Sequence, residues 1–135
     1  MSFFELPGLS DVKEKYPVAE GMYDLCIIST KVNEKEGKTN IFCVLEIEGQ
    51  PDAANVLHNV SMIGPDDDDD KKKAKMLFLA RFLHQFGINA DAGLETEQMV
   101  GSRATACKLT QEEYPENSGQ IKNNYNPSQL PREEA

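Results

Sequence analysis

The chain has 135 residues, 39% of them hydrophobic, which suffices for one domain around one core. Its most apolar stretch, Met76 to Phe86, is broken by Arg81, His84 and Gln85, and the N-terminus MSFFELPGLSDVKEKYP lacks the basic, apolar and small-residue segments of a secretory leader, so neither a membrane span nor a leader is expected. The formal net charge of −9 argues at face value against a nucleic-acid partner, since phosphates are held by lysine and arginine.

The distribution of that charge counts for more than its total. Residues 50–70 carry six acids and no Lys or Arg, whereas residues 71–89 carry five basic residues and no acid. An acidic chain segregated in this way can still present a basic surface. The three cysteines, Cys26, Cys43 and Cys107, are widely spaced and form no CxxC pair, so they read as reduced core thiols in a cytoplasmic protein and not as zinc ligands.

Residues 1–20, with Pro7, Gly8 and Pro17 among mixed charges, read as a lead-in arm whose tip, Phe3, Phe4 and Leu6, is free to pack on the domain or on a partner. GMYDLCIISTKV from Gly21 alternates as a strand with Tyr23, Leu25 and Ile27 on one face. The charged turn NEKEGK, Asn33 to Lys38, leads to TNIFCVLEIEG, in which Ile41, Cys43, Leu45 and Ile47 share a face and Phe42 and Val44 take the other. A third strand, NVLHNVSMI, sets Val56, His58, Val60 and Met62 against Leu57, Asn59 and Ser61, and Gly64-Pro65 ends it.

After the run Asp66 to Asp70, KKKAKMLFLARFLHQFG has helical spacing at Met76, Leu79, Ala80, Leu83 and Phe86, joined by Leu77 and Phe82. Asp69 or Asp70 is the expected N-cap and Gly87 the stop. ADAGLETEQMVG has room for one further helical turn. RATACKLT (103–110) and GQIKNNY (119–125) are the last strands, joined by QEEYPENS, and residues 126–135 form a C-terminal tail. Face assignments after Ile27 depend on whether a bulge shifts the alternation.

Three strands, a helix and two strands in the domain 21–125 match the five-stranded Greek-key barrel of the oligonucleotide/oligosaccharide-binding (OB) fold, mainly β with one helix. In that layout the ligand crosses the second and third strands between the loops Asn33 to Lys38 and Gln111 to Ser118. PVAEGMYDLCIISTKVNEKEGKTNIFCVLEIEG, KKKAKMLFLARFLHQFGI and MVGSRATACKLTQEEYPENSGQIKNNYNP together resemble a family of small phage-encoded proteins from replication and recombination gene clusters. The resemblance spans about residues 17–127 and rests on Glu20-Gly21, Gly37, Gly49, Gly101, Gly119 and Asn123. It implies a non-catalytic single-stranded-DNA-binding protein of the OB type, acting in the bacterial host cytoplasm beside phage or host replication and recombination proteins. It implies no cofactor and leaves the oligomeric state open. Such binders often end in an acidic tail that recruits enzymes; NPSQLPREEA, with two acids and one arginine, does not fit that role.

A single-strand binder needs a basic groove and stacking aromatics. Phe42, on the outer face of the second strand, is the first candidate stacker, the alternative being that it packs under the arm. Tyr114 is the second, or else a loop anchor. Tyr23, Tyr125 and His58 read as interior. Lys31, Lys35 and Lys38 on the first hairpin and Arg103, Lys108 and Lys122 on the last two strands are candidate phosphate contacts, with Asn59 and Asn124 as polar contacts on outward faces. Lys71, Lys72, Lys73 and Lys75 follow the aspartates directly, which makes them either a solvated charge run or lysines masked until DNA displaces the acids.

No GxSxG, Walker, HExxH or dinucleotide motif occurs, and five consecutive aspartates lack the spacing of a calcium loop, so neither catalysis nor a metal site is expected. The competing reading of the charge is an acidic protein-interaction module, such as a host-factor inhibitor or DNA mimic.

Overall fold

Two bulges, one in each of two neighbouring central strands, shape the molecule. The structure, a computed structural model, describes residues 2–131. Its strands are β1 (Gly21–Lys35), β2 (Lys38–Ile47), β3 (Val56–Ser61), β4 (Arg103–Glu113) and β5 (Ile121–Asn126). Between β3 and β4 lie α1 (Asp69–Gln85) and the short α2 (Thr96–Met99). The strands form one antiparallel sheet in the order β3-β2-β1-β4-β5.

β1 slips register against β2 between Ile27 and Ser29, and against β4 between Tyr23 and Leu25. The second slip is accommodated at Ala106, whose φ is 51° and whose N–H is accepted by Asp24 Oδ1 at 3.1 Å. Bulges increase local twist and bend the strand that carries them. The sheet curls into a half-barrel whose edge strands approach, so that His58 on β3 stands 4.9 Å, ring to ring, from Tyr125 on β5.

The inner face follows the alternation of the sequence. Leu25, Ile27, Ile41, Cys43, Leu45, Ile47, Val56, Val60 and Leu109 are buried there, with Met99 from α2 added. α2 is tied to the β1 bulge by a Thr30 hydroxyl donating to Thr96 O at 3.1 Å, and Gly101 N–H donates to Ile27 O at 2.7 Å.

α1 closes the gap between the sheet edges with Phe82 and Phe86, whose rings lie within about 6 Å of Tyr125. Burying Phe82 fully stabilises the fold by about 2–3 kcal/mol. The Tyr125 hydroxyl donates to Gln85 Oε1 on the same helix. The N-cap is Asp68, not Asp69 or Asp70: its carboxylate accepts the Lys71 N–H at 2.8 Å, leaving Asp69 and Asp70 in the first turn. Gly87 stops the helix as expected. With φ of 66° it lets Gly87 N–H reach His84 O and Ile88 N–H reach Leu83 O, the paired bonds of a Schellman end.

The buried stripe of α1 is rotated from the expected one. Phe82 and Phe86 are its centre and Leu79 and Leu83 its flank, while Met76 is 52% exposed and Leu77 is also in solvent. Phe82 and Phe86 face the His58 and Tyr125 rings of the sheet edges, whereas Met76 turns toward Met62, Ala90 and Leu94, with which it lines a separate apolar pocket. No described helix is long and apolar enough to cross a membrane.

The arm is anchored from Tyr16, which pairs with Ala53, and at Val18, whose N–H donates to Asn123 Oδ1 at 2.8 Å while its carbonyl accepts from Asn123 Nδ2. Phe3, Phe4 and Leu6 do not pack on the domain; all three are exposed. Arg132, Glu133 and Glu134, the charges of the tail, lie outside the described residues.

Candidate nucleic-acid interface

β1 and β2 are joined by two residues, Glu36 and Gly37, both with positive φ (54° and 75°), the geometry of a type I′ turn. The expected loop Asn33 to Lys38 is thus mostly strand, and Lys35 and Lys38 are a cross-strand pair at the hairpin tip. The sequence placed Gly37 in the turn, but Asn33–Lys35 carries too much charge to read as strand from alternation. The same applies at the other end: β4 runs on to Glu113, leaving residues 114–120 as the β4–β5 loop instead of Gln111 to Ser118. β3 ends at Ser61, two residues short of its expected limit, and β5 continues to Asn126.

The bulge at Ile28 decides where Lys31 points. Unbroken alternation from Leu25 and Ile27 would turn Lys31 inward; the inserted residue pairs it with Phe42, on the face opposite the core. Phe42 in turn pairs with Asn59 on β3. Lys31, Phe42 and Asn59 therefore form one row across three strands, spanning about 10 Å at the normal strand spacing. Asn33, Asn40 and Ser61 form the adjacent row toward the tip, where the Ser61 hydroxyl donates to Asn40 Oδ1 at 3.0 Å. Lys35 and Lys38 lie beyond it on the same face. Ser29, Val44 and Leu57 form the row on the other side.

Phe42 is 39% exposed, and Leu57 beside it is 72% exposed. Leu57 escaped notice as a site residue although its parity was legible, because a single outward leucine on a strand is ordinary. Five of the ten candidates, Lys31, Lys35, Lys38, Phe42 and Asn59, are brought together here. Among the described residues none of these three lysines has a carboxylate within ion-pair distance.

The other five do not join them. Arg103 lies across β1 and is ion-paired to Glu48 at 3.0 Å. Lys108 pairs across the ladders with Met22 and Asn126. Lys122 and Asn124 face outward on β5, opposite in parity to Asn123 and Tyr125, as expected. Their polar groups are engaged: Asn124 donates to Glu112 Oε2, Lys122 lies 3.9 Å from the same carboxylate, and its ammonium stands 4.4 Å over the Tyr114 ring. Tyr114 is exposed just past β4.

The interior readings divide. Tyr125 is buried and Tyr23 half-buried, its hydroxyl donating to Ala19 O at 2.8 Å. His58 is interior as expected, 5% exposed and packed against Phe78, Phe82 and Tyr125, but its Nε2 has no hydrogen-bond partner among the described residues. Burial holds its pKa down to about 4. Burial raises the thiols of Cys43 to about 11 and Cys107 to about 12, which keeps both protonated. Cys26 departs from the core reading: it is half-buried on the outer face, paired with Glu46 and Arg103.

Within the acidic run, Asp67 accepts from Lys75 Nζ at 2.7 Å and from Gly64 N–H at 2.8 Å. The Lys75 bond, followed by the Gly64 bond, holds its carboxyl below the usual range. Lys75 also donates to Met62 O at 3.3 Å. Of the four helix lysines, then, one is bound to the loop before it. No protein-family model matches this chain, and no curated protein matches it.

Proposed function

We propose that this chain is a non-catalytic single-stranded-DNA-binding protein on the OB plan, serving phage DNA replication or recombination in the bacterial host cytoplasm. The observation that carries this reading is the row Lys31–Phe42–Asn59, a cation without a carboxylate partner among the described residues, an exposed aromatic ring and an amide side by side on the outer face of β1, β2 and β3. Stacking on the ring is indifferent to sequence, and the lysines of the hairpin supply the phosphate contacts such stacking needs. The OB plan is supported by the sheet order together with the approach of β3 to β5 under α1, which would close the ring of strands. The likeness of the sequence to phage replication-cluster proteins supplies the biological setting.

The competing reading, an acidic decoy, has less behind it. Asp67 and Asp68 are occupied in fastening the loop and capping α1, so the densest acidic run is partly structural. Fluorescence anisotropy with a labelled oligonucleotide separates the two. Micromolar or tighter binding to single strands over duplex, weakening as salt rises, is expected; no detectable binding at low salt would refute the proposal.

A further inference from the structure

Between β3 and the exposed first half of α1 lies an open pocket of about 270 Å³, lined by Asn59, Ser61, Ala74, Lys75 and Phe78. Asn59 belongs to both this pocket and the row that carries Phe42. The pocket continues that row beyond the sheet edge. Phe78 rests one face on His58, with centroids 5.4 Å apart and planes 29° from parallel, yet remains 38% exposed. His58, itself packed on Phe82, supports the ring from beneath, so it is a held platform. The Asn59 side chain makes no hydrogen bond within the described residues, leaving an amide donor and acceptor free beside an aromatic ring. Lys71 lies on the same helix face, one turn before Lys75, and has no ion pair among the described residues.

We propose that this pocket receives a nucleobase, and that the bound strand leaves the sheet over β3 toward α1 instead of toward the β4–β5 loop. The proposal rests on the single-strand-binding reading above and gives that strand a direction. Three conditions for holding a base meet here: a ring to stack on, an amide whose donor and acceptor can pair with a base edge, and a cation, Lys71, one helix turn from the pocket for the adjoining phosphate. The opposite exit offers less, because Lys122 and Asn124 are engaged by Glu112 and the Tyr114 ring is covered on one face by Lys122. The exit over α1 also gives a part to the lysine cluster that follows the aspartates. Lys75 is held by Asp67, and Lys71 stays available.

The test compares binding of a fluorescein-labelled dT oligonucleotide by the wild-type chain and by Asn59→Ala, Phe78→Leu, Lys71→Ala and Lys122→Ala. The first three should each weaken binding about fivefold or more, and Lys122→Ala less than about twofold. Because Phe78→Leu can also loosen the packing on His58, the wild-type chain is separately photocrosslinked to a 5-bromouracil strand. Crosslinks are expected at Phe42 and Phe78. A crosslink at Tyr114 in place of Phe78, or loss of binding in Lys122→Ala with the other three unchanged, overturns the exit over α1 while leaving single-strand binding intact. A wild-type chain that binds no single strand removes both readings.

Discussion

His58 should make the fold sensitive to acid in a defined window. Its ring is buried among Phe78, Phe82 and Tyr125 with Nε2 unpartnered, and burial lowers its pKa from 6.5 to about 4. The unfolded chain takes up this proton near pH 6.5, whereas the folded chain resists until about pH 4. Between these limits the unfolded state holds more protons, so stability falls as pH falls. The contribution is fully present above pH 6.5 and fully lost below about pH 4. At about 1.4 kcal/mol per pH unit, the difference amounts to about 3 kcal/mol, a large part of a small domain's stability. The chain has no tryptophan, so urea unfolding is best followed by far-ultraviolet circular dichroism at stepped pH, comparing wild type with His58→Leu. Asp67, with its carboxyl held low by Lys75, loses stabilisation at still lower pH in both proteins, and its effect cancels in the comparison. Wild type should lose about 3 kcal/mol more than the variant between pH 7 and pH 4. Parallel decline of the two proteins, or an imidazole seen by NMR to titrate near 6.5 in the folded chain, would refute the reasoning.

Phe42→Ala should weaken single-strand binding by about 1–3 kcal/mol and leave the thermal midpoint nearly unchanged, since the ring is on the outer face; a large fall in midpoint would place it in the packing instead. Asp68→Ala should cost about 1 kcal/mol in urea unfolding, and Asp69→Ala less than about 0.5, the reverse order being incompatible with the assigned cap. Gly87→Ala should destabilise by about 1 kcal/mol through its positive φ alone, because an added methyl would meet no atom within 4 Å; a neutral substitution would count against the Schellman end. If Lys31, Lys35, Lys38 and Lys71 each neutralise one phosphate, log K against log salt should have a slope of about −3 for single strands, and a slope near zero would exclude phosphate contact by this face.

The elements were legible because alternation and helical spacing report burial, and burial decides most of this fold. Ile41, Cys43, Leu45 and Ile47 on one side of β2, and Val56, His58 and Val60 on one side of β3, are buried as the pattern requires. Illegible were the features that leave no mark in polarity. Nothing in CIIST announces the bulge at Ile28, yet that residue sets the face of Lys31 and of the whole hairpin beyond it. Asn33–Lys35 and Gln111–Glu113 look like loops because both faces of a strand that projects beyond the core are wet. Met76 fits the apolar stripe of α1 by spacing, but it turns toward Met62, Ala90 and Leu94 and away from the sheet edges. The pocket beside Phe78 depends on how α1 sits against β3, which is tertiary information.

The net charge is a poor guide to any one face for a related reason: it sums groups that act on one another with groups that do not. Arg103, Lys122 and Lys75 are each within 4 Å of a carboxylate, and Asp67 and Asp68 are tied to backbone N–H groups at either side of the loop into α1. Over a Debye length of about 8 Å, distant acids contribute little to the potential at an exposed lysine. What a phosphate approaching the hairpin meets is set by Lys31, Lys35 and Lys38, which share one face and have no carboxylate partner among the described residues, together with Glu34 and Glu36, which flank Lys35 at the tip. On the proposed single-strand-binding reading, acids elsewhere would oppose loose, non-specific adhesion of nucleic acid, and a chain of net charge −9 would confine binding to the strip where Phe42 is available to stack.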